Sequence, residues 1–337
     1  MTKTTDPEGL VRNLYRGILH REPSDSDAAH WVGRLATGLD VNEMAELFMQ
    51  SAEFAALRKK VQGLFVPPGH FYSPIVDVDN VRDALPALRS ATDLPAIEVS
   101  KDRMLEQWKA FQPFLREIPF PEEPTPGYRY HFGNPAFSYG DGSILYAMLR
   151  TYRPKRLVEV GSGYSSACAM DTIERFLDDD VAVTFVEPYP ELLLRLLGEH
   201  VSITHRVVAE PVQKADSAIF EQLGSGDFLF IDSTHLMKTG SDVCHELFNI
   251  LPALKPGVFI HFHDIFWPFE YGPNWVIKEN RSWNEIYGLR AFLMYNKSFE
   301  IVFFNDYFVR NFRSILEQEY PVFLKNSGGS IWLRKLA

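Results

Sequence analysis

Four side chains that can transfer protons or bind cations follow two apolar runs in the second half of the chain. Asp232 and His235 stand at the end of one run, and His263 and Asp264 follow the next. If these runs are neighbouring parallel strands, their carboxyl ends meet at one edge of a sheet and bring the four side chains together. Such a group is costly to desolvate unless it binds a cation or transfers protons. The sequence therefore predicts a catalytic group of Asp232, His263 and Asp264.

The chemistry of this group is open between a base and a metal site. His263 could accept a proton, whereas ligands from Asp232, His263 and Asp264 would suit magnesium, manganese, zinc or iron. Two further histidines are interpreted structurally. We expect His261 to pack between layers and His235 to hydrogen-bond a loop.

A glycine loop precedes this group in the chain. The apolar run Leu157–Val160 predicts a buried strand, Gly161 and Gly163 predict a tight turn, and residues Tyr164 to Phe176 have helical spacing. Glycines let backbone N–H groups approach a ligand closely, so the unit is typical of a nucleotide-like cofactor site. Ser166 stands where the dinucleotide pattern has its third glycine, which counts against an NAD-linked enzyme.

Two acidic residues favour S-adenosylmethionine (SAM) as the cofactor. Glu159 lies two residues before the first glycine, where a carboxylate can sit near the cationic methionine end of SAM. Glu187 ends the next apolar run, where an acid can accept hydrogen bonds from both ribose hydroxyls. We therefore expect both residues to belong to the cofactor site.

Composition limits the other classes of function. The 337 residues are 46% hydrophobic and 23% charged, as in ordinary globular proteins. The net charge of −10 argues against a nucleic-acid surface, which needs clustered Lys and Arg. Cys168 and Cys244 are too few for a disulfide framework or a cysteine zinc site. With no signal core and no membrane span in the sequence, we expect a cytoplasmic protein.

Strand and helix patterns alternate from Arg156 onward, which is typical of a mostly parallel sheet with helices on both faces. The predicted strands are residues 157–160, 183–187, 203–207, 228–232, 258–262, 299–304 and 330–333. The last two follow one another without a clear helical crossover between them. This favours an antiparallel pair at the edge of an α/β, Rossmann-like sheet.

The first sixty residues have helical patterning of their own. Leu10, Leu14 and Ile18 share one helical face, and a helix from Asp40 to Leu57 is interrupted near Ser51. The predicted organisation is a small all-α domain over residues 1–61, a linker over 62–74, an N-terminal extension of the catalytic domain over 75–155, and the cofactor-binding domain over 156–337.

The segment after Asp264 is long for a connection in a compact domain, and such segments often act as lids. Its aromatic residues would line an acceptor pocket, bury the segment against the protein or make a subunit contact; they are Trp267, Phe269, Tyr271, Trp275 and Trp283. Arg281 and Asn284 are polar candidates for acceptor recognition.

The chain from about His70 to Lys335 resembles a family of class I SAM-dependent methyltransferases found among bacterial glycan and natural-product genes. The matching segments are HFYSP, GDGSILYAMLR, LVEVGSGYSS, FVEPYP, GDFLFIDSTHLMKTGSDV, LPALKPGVFIHFHDIFWPFEY and RSWNEIYGLRAF. The resemblance implies a seven-stranded sheet whose last strands are antiparallel, with SAM as the cofactor.

Metal-dependent catechol and macrolide-sugar (macrocin-type) O-methyltransferases have similar cores. In the catechol type, an Asp after strand four and an Asp-Asn pair after strand five hold magnesium. Counted from Gly257, the pair falls on His263 and Asp264, and Asp232 matches the first ligand. His263 departs from that pattern, which leaves the metal open and makes His263 a candidate base. The cofactor contacts that the resemblance and position imply are Glu159, Gly161, Gly163, Ser165, Glu187, Gln213 and Asp232.

The N-terminal pattern LYRGILHREPSDSDAAHWVGRLATG…FMQSAEF resembles a small helical domain of unknown function related to phycobilisome linkers. The resemblance implies contacts with a protein partner or with further copies of the chain. A stabilising helical cap is the alternative interpretation.

Together these patterns predict SAM-dependent O-methylation of a hydroxyl on a sugar, a glycan or a secondary metabolite. One alternative is a SAM- or ligand-binding scaffold without turnover, recruited through the N-terminal helical domain. A metal-dependent oxygenase with two histidines and a carboxylate is another, and the SAM-like loop counts against it.

Overall fold

The computed structural model describes residues 6–62, 65–177, 181–198 and 205–337. The chain divides into two units, Met1–Val78 and Asp79–Ala337. None of the helices in these ranges is long and apolar enough to cross a membrane.

The first unit is helical. Its helices are α1 (Pro7–Leu14), which continues into a π-helical turn (Tyr15–Leu19), α2 (Asp25–Ala36), α3 (Val41–Gln50) and α4 (Ala52–Gln62). Ser24 begins α2 by accepting a hydrogen bond from the N–H of Asp27, whose side chain bonds back to Ser24 N–H. Ser51 ends α3, so the interruption predicted there separates two helices.

The core of this unit is displaced by one residue from the predicted helical face. Val11, Tyr15 and Leu19 are buried with Met44 and Phe48 of α3. The predicted residues Leu10, Leu14 and Ile18 are only half buried. Both stripes have helical spacing, so the sequence alone does not decide which of them faces the core.

The second unit is an α/β domain with a seven-stranded sheet. Its strands are β1 (Arg156–Val160), β2 (Ala182–Val186), β3 (His205–Val208), β4 (Phe228–Ile231), β5 (Phe259–Phe262), β6 (Phe299–Phe304) and β7 (Ile331–Lys335). Its helices are α5 (Val78–Arg82), α6 (Leu85–Leu88), α7 (Lys101–Leu115), α8 (Tyr139–Tyr152), α9 (Tyr164–Phe176), α10 (Glu191–Leu197), α11 (Ala218–Glu221), α12 (Asp242–His245), α13 (Leu251–Ala253), α14 (Glu285–Leu293) and α15 (Asn305–Glu319), with π-helical turns at Glu246–Ile250 and Asn274–Lys278 and a 3-10 turn at Pro321–Lys325.

The strand order is β3-β2-β1-β4-β5-β7-β6. The first five strands are parallel, and β7 runs antiparallel to both β5 and β6. This confirms the predicted Rossmann-like sheet with an antiparallel pair at its edge. The predicted start of the third strand, Ile203, lies outside the described residues.

Strands β4 and β5 are almost entirely apolar because helices cover both faces of the sheet. Every residue of β4 and β5 is buried. His261 of β5 is the polar exception: its ring stacks on Phe230, and its Nε2 lies 2.8 Å from Ser330 Oγ. The structural interpretation of His261 therefore agrees with its surroundings.

The sequence missed helix α15, which connects β6 to β7. This helix begins directly after β6, without a turn and without a side-chain cap. Its backbone is non-helical at Phe312. Its apolar residues Tyr307, Phe308, Phe312 and Leu316 nevertheless have helical spacing, so the sequence did contain a signal for this crossover that the prediction overlooked.

Candidate active site

The loop after β1 is held against the end of β4. Gly161 has a φ of +77°, a left-handed conformation that side chains rarely adopt, and a Cβ atom there would overlap the carbonyl oxygen of Asp232. Gly163 is different: its φ is −174°, and a Cβ atom would meet only Leu192 Cδ2 at 3.5 Å. The fold therefore requires glycine at 161, whereas at 163 it leaves open space.

Glu159 fastens β1 to the first turn of α9. It is 1% exposed, and its two carboxylate oxygens accept hydrogen bonds from Ser165 Oγ at 2.5 Å and Ser166 Oγ at 2.7 Å. Burial raises its pKa to about 8, against the lowering effect of the two serine hydroxyls. Glu159 and Ser165 thus support the loop from beneath, and their contact with a cofactor stays a prediction.

A cavity of about 400 Å³ opens at the carboxyl ends of β1, β2 and β4. Four predicted cofactor residues line it: Gly161, Glu187, Gln213 and Asp232. The Glu187 carboxylate accepts hydrogen bonds from the backbone N–H groups of Ser162 (3.0 Å) and Tyr189 (2.8 Å), so its position is fixed relative to the loop. A second cavity of about 550 Å³, beside β6, contains none of the predicted site residues.

The predicted catalytic side chains meet at this same edge of the sheet. His263 Nε2 lies 3.4 Å from Asp264 Oδ1. His235 Nε2 lies 3.5 Å from Asp232 Oδ1 and 3.6 Å from Asp264 Oδ2. The rim expected from the strand ends is therefore confirmed. His235 and Asp264 both have left-handed backbones, with φ values of 60° and 57°, a strain that tends to occur at functional sites.

His235 has a partner that the sequence did not reveal. Its Nδ1 lies 2.7 Å from Oε2 of Glu285, a carboxylate that is 1% exposed. The backbone N–H of Glu285 also donates to the carbonyl of His235, which ties the start of α14 to this loop. His235 is thus oriented by a buried acid with its Nε2 facing the rim, rather than simply bonded to a loop.

Comparisons with known proteins agree with this arrangement. A family profile described as "Methyltransferase domain" matches residues 158–265, from β1 to the residue after Asp264. An uncharacterised protein of Archaeoglobus fulgidus is 32% identical over 166 residues, which cover 48% of this chain and 75% of that protein. Residues 158–265 therefore match a methyltransferase domain. A second profile, "Domain of unknown function (DUF4214)", matches residues 2–58 of the chain.

The solved structures that are similar to this chain are remote in sequence. The O-methyltransferase TomG of Streptomyces achromogenes, involved in tomaymycin synthesis, is 13% identical with a TM-score of 0.39, covering 77% of this chain and 99% of TomG. An O-methyltransferase of Bacillus cereus is 12% identical with a TM-score of 0.38, covering 77% and 99%. Values this low carry no argument about activity.

The rim of the candidate site is rich in acids that act on the two imidazoles. Burial works to lower the pKa of His263, but Asp264, Asp232 and Asp141 raise it to about 9. The pKa of His235 is raised in the same way. Burial works to lower it, but Glu285, Asp232 and Asp264 raise it. Both rings therefore hold a proton more tightly than a free histidine.

The divalent cation is not supported. Among the described residues, no group of three or more His, Cys, Asp and Glu side chains is arranged to hold a metal ion. The predicted ligands Asp232, His263 and Asp264 lie on one rim, but their carboxylates face imidazole nitrogens at 3.4–3.6 Å. These contacts pair the carboxylates with imidazole rings, and the arrangement of the predicted ligands does not support the predicted metal site.

The aromatic residues of the segment after Asp264 divide into two groups. Trp267, Phe269 and Tyr271 are 3%, 0% and 2% exposed, so they belong to the core. Trp275 and Trp283 remain partly exposed, with their ring centroids 5.2 Å apart. Of the two groups, only Trp275 and Trp283 are accessible to an acceptor.

The two polar candidates of this segment also differ. The Arg281 guanidinium lies 4.3 Å and 4.4 Å from the ring centroids of Trp275 and Trp283. The Asn284 side chain accepts a hydrogen bond from the N–H of Met237 and donates to its carbonyl. Asn284 therefore anchors the loop after His235, and Arg281 is the one left for acceptor recognition.

Proposed function

We propose that the protein is a SAM-dependent O-methyltransferase that methylates a hydroxyl group of a small-molecule acceptor. The observation that carries the proposal is the orientation of His235. Buried Glu285 holds its Nδ1, and its Nε2 faces Asp232, a residue that also lines the cavity of Glu187 and Gly161. A base oriented by a carboxylate beside a cofactor cavity suits proton removal from a hydroxyl.

SAM, when bound, supplies a methyl group on a positively charged sulfur. Glu187 would hold the ribose, because a carboxylate whose oxygens already accept backbone N–H groups can accept further hydrogen bonds. Gly163 would let the loop backbone approach the cofactor, since Leu192 is the only side chain that a Cβ atom at this position would contact among the described residues. Gln213, exposed after β3, would contribute at the adenine end.

The sequence favours His263 as the base, and the structure offers His235 as a better oriented one. We propose that the neutral form of His235 takes, on its Nε2, the proton that the acceptor hydroxyl loses. Because the neighbouring acids raise the pKa of His235, this neutral form becomes more populated as the pH rises. His263 has no partner for its Nδ1 among the described residues. With a pKa of about 9 it keeps its proton at neutral pH. Its charge then balances Asp232 and Asp264, which hold it beside the site.

We further propose that the acceptor is a sugar or secondary-metabolite hydroxyl compound. The pair Trp275 and Trp283 offers aromatic surface near His235: the ring centroid of Trp283 lies 4.4 Å from that of His235. Aromatic side chains pack well against rings with both apolar faces and polar edges. Arg281, held over both tryptophans, adds hydrogen-bond donors at the rim.

The first test is calorimetric titration with S-adenosylhomocysteine, with and without EDTA. We expect binding that survives EDTA. Methyl transfer from labelled SAM to a panel of sugar and phenol hydroxyl compounds then tests the reaction, with His235→Asn as the matched inactive variant. Absence of S-adenosylhomocysteine binding would contradict the proposal, and binding without transfer to any panel member would favour the scaffold.

For the N-terminal unit we propose a role in protein contacts, either with further copies of the chain or with another protein. Its helix α3 buries Met44 and Phe48 while it exposes Leu47 and Met49. Apolar side chains on the outer side of a small helical unit favour an interface. Light scattering of the full chain and of Met49→Glu tests this: an oligomer that becomes a monomer identifies self-association. A monomer in both cases leaves another protein as the partner.

A further inference from the structure

We propose that a basic pocket next to the two exposed tryptophans binds an anionic group, a phosphate or a carboxylate, that the acceptor carries. The pocket is formed by the start of the second unit, around α5 and α6, and by the segment after Asp264. The inference rests on the proposed methylation of a small-molecule acceptor, and it narrows the chemical class of that acceptor.

The pocket has a volume of about 420 Å³, which lies within the range of small-molecule sites. Its walls are apolar, and every charged residue that lines it in the described part of the chain is basic. The apolar residues include Leu85, Pro273 and Ile277, and the basic residues are Arg82, Arg89 and Lys278. Such a lining suits an anionic group attached to an apolar framework.

Arg89 has the least compensated charge of the basic residues that have a described partner. Its side chain is half-buried and donates to one acceptor, the backbone carbonyl of Glu270. A guanidinium has five N–H donors, so most of those of Arg89 remain unused among the described residues. No described carboxylate forms an ion pair with Arg89, whereas Arg82 pairs with Asp79 at 3.4 Å. The unused donors of Arg89 can therefore bind an anion from outside the chain.

A further arginine holds the backbone of Arg89 and adds positive charge. Arg310 of α15 donates to the Arg89 carbonyl oxygen at 2.9 Å, and its Nε lies 3.3 Å from Asp306. Burial first, and then the charge of Arg310, lowers the pKa of Arg89, although two nearby acids act in the opposite direction. A bound anion would stabilise the charged guanidinium against both effects.

The pocket shares a turn with the surface proposed for the acceptor. The turn Asn274–Lys278 supplies Lys278 to the pocket and also carries Trp275. The ring centroids of Trp275 and Trp283 are 5.2 Å apart, and those of Trp283 and His235 are 4.4 Å apart. An acceptor that lies along the two tryptophans would place its hydroxyl at His235 and its anionic group at Lys278.

The test is calorimetric titration of the full chain with phenyl phosphate, benzoate and phenol at low ionic strength. We expect at least one of the two anions to bind about tenfold or more tightly than phenol, because only an anion can accept charge-assisted hydrogen bonds. The anion that binds more tightly identifies the group as a phosphate or a carboxylate. Lys278→Gln and Arg89→Gln should each weaken its binding about tenfold.

Lys255→Gln is the matched control, since Lys255 is also an exposed lysine but lies before β5 and does not line the pocket. It should leave the affinity for the anion unchanged. Either of two results would overturn the inference: neither anion binds more tightly than phenol, or the pocket variants lose no more affinity than Lys255→Gln. If Arg89→Gln does not fold, the exposed Lys278 still decides.

The titration needs neither SAM nor turnover, so its outcome is separate from that of the proposed methyl transfer. Anion binding that depends on Lys278 would remain valid if no methyl transfer were found. Methyl transfer with no anion binding would overturn only the pocket.

Discussion

Both ends of the sheet bury carboxylates, but they satisfy them differently. At the amino end, Asp227 is 3% exposed, and its two oxygens accept from the backbone N–H groups of Lys155 and Arg156 and from the Arg156 guanidinium. At the carboxyl end, Glu246 and Glu285 each keep one oxygen without a partner among the described residues. A buried carboxylate is thus fully paired at the amino end of the sheet, whereas the two at the carboxyl end each have an unpaired oxygen.

The difference shows which end is built for stability. A buried acid with every oxygen paired stabilises the junction of strands and turns, and nothing more is required of it. Under-paired acids beside imidazoles cost stability and persist where they tune proton affinity. The left-handed backbones of His235 and Asp264 lie at the same carboxyl end.

The largest effect is expected at Gly161, which lies at the carboxyl end of the sheet but also has a structural role. In Gly161→Ala the methyl group would collide with the Asp232 carbonyl in a left-handed backbone. We expect a loss of about 3 kcal/mol or more in the free energy of unfolding, together with loss of S-adenosylhomocysteine binding. Denaturant unfolding and calorimetry measure the two effects.

Gly163→Ala is the matched control for that change. Its backbone is extended, and the added methyl group makes only an ordinary contact with Leu192. We expect unfolding within about 0.5 kcal/mol of wild type, but S-adenosylhomocysteine affinity weaker by about tenfold or more. Equal stability losses in the two variants would show that neither glycine is reserved for a ligand.

The second-largest effect should come from His235→Asn. Asparagine tolerates a φ of 60° and can still donate to Glu285, so the loop is preserved while the base is lost. We expect turnover to fall about a hundredfold or more, with S-adenosylhomocysteine affinity nearly unchanged. Single-turnover methylation of the acceptor found in the panel measures this. If His263→Asn fell further than His235→Asn, the base would be His263, as the sequence predicts.

At the amino end of the sheet, Asp227→Asn should lower the free energy of unfolding and leave cofactor binding unchanged. Replacing one oxygen by an amide leaves backbone N–H groups without their acceptor, which costs about 1–3 kcal/mol. Urea unfolding and cofactor calorimetry give the comparison. A variant with normal stability and weakened binding would remove the distinction between the two ends.

The smallest effect is on the pH dependence of stability. The pKa of His263 is raised from 6.5 to about 9, so the folded state binds that proton more tightly than the unfolded state. This contribution is fully present below about pH 6.5 and is lost as the pH rises towards 9. We expect the melting temperature to fall by a few degrees across that range, and the fall to be shallower in His263→Gln. An identical slope in both proteins would contradict the raised pKa.

Glu159 contributes a second decrease in stability with rising pH, in a lower pH range than His263. Its pKa is raised from 4.5 to about 8, so its folded form is favoured while the carboxyl is protonated and loses that advantage as the pH rises through the interval. Glu159→Gln should flatten this part of the stability curve.

Local sequence patterns were sufficient to predict the helices and strands whose apolar residues have a regular spacing. The predicted helix from Tyr164 to Phe176 matches α9, and the predicted strand from Phe299 to Phe304 matches β6. The meeting of Asp232 with His263 and Asp264 followed from the rule that parallel strands end at one edge. These features depend on spacing within one element or on sheet topology.

The partner of His235 could not be predicted in that way. Glu285 lies 50 residues further along the chain, at the first turn of α14, and its only local signal is a helix start after Asn284. The division of the aromatic residues into a core group with Trp267 and an exposed pair with Trp283 is equally non-local. Which rings become buried depends on how the segment folds back on β6 and α15, and no period in the sequence encodes that.

The contact between Gly161 and the Asp232 carbonyl also bears on how new acceptor specificities could be engineered. The loop after β1 and the loop after β4 touch through main-chain atoms, so the cofactor side and the proton-transfer side cannot be redesigned independently. The Arg281 guanidinium instead contacts the Trp275 ring through its side chain, whereas Trp283 packs on the His235 ring. A library confined to positions 275 and 281 would vary the acceptor surface without changing the ring that contacts His235.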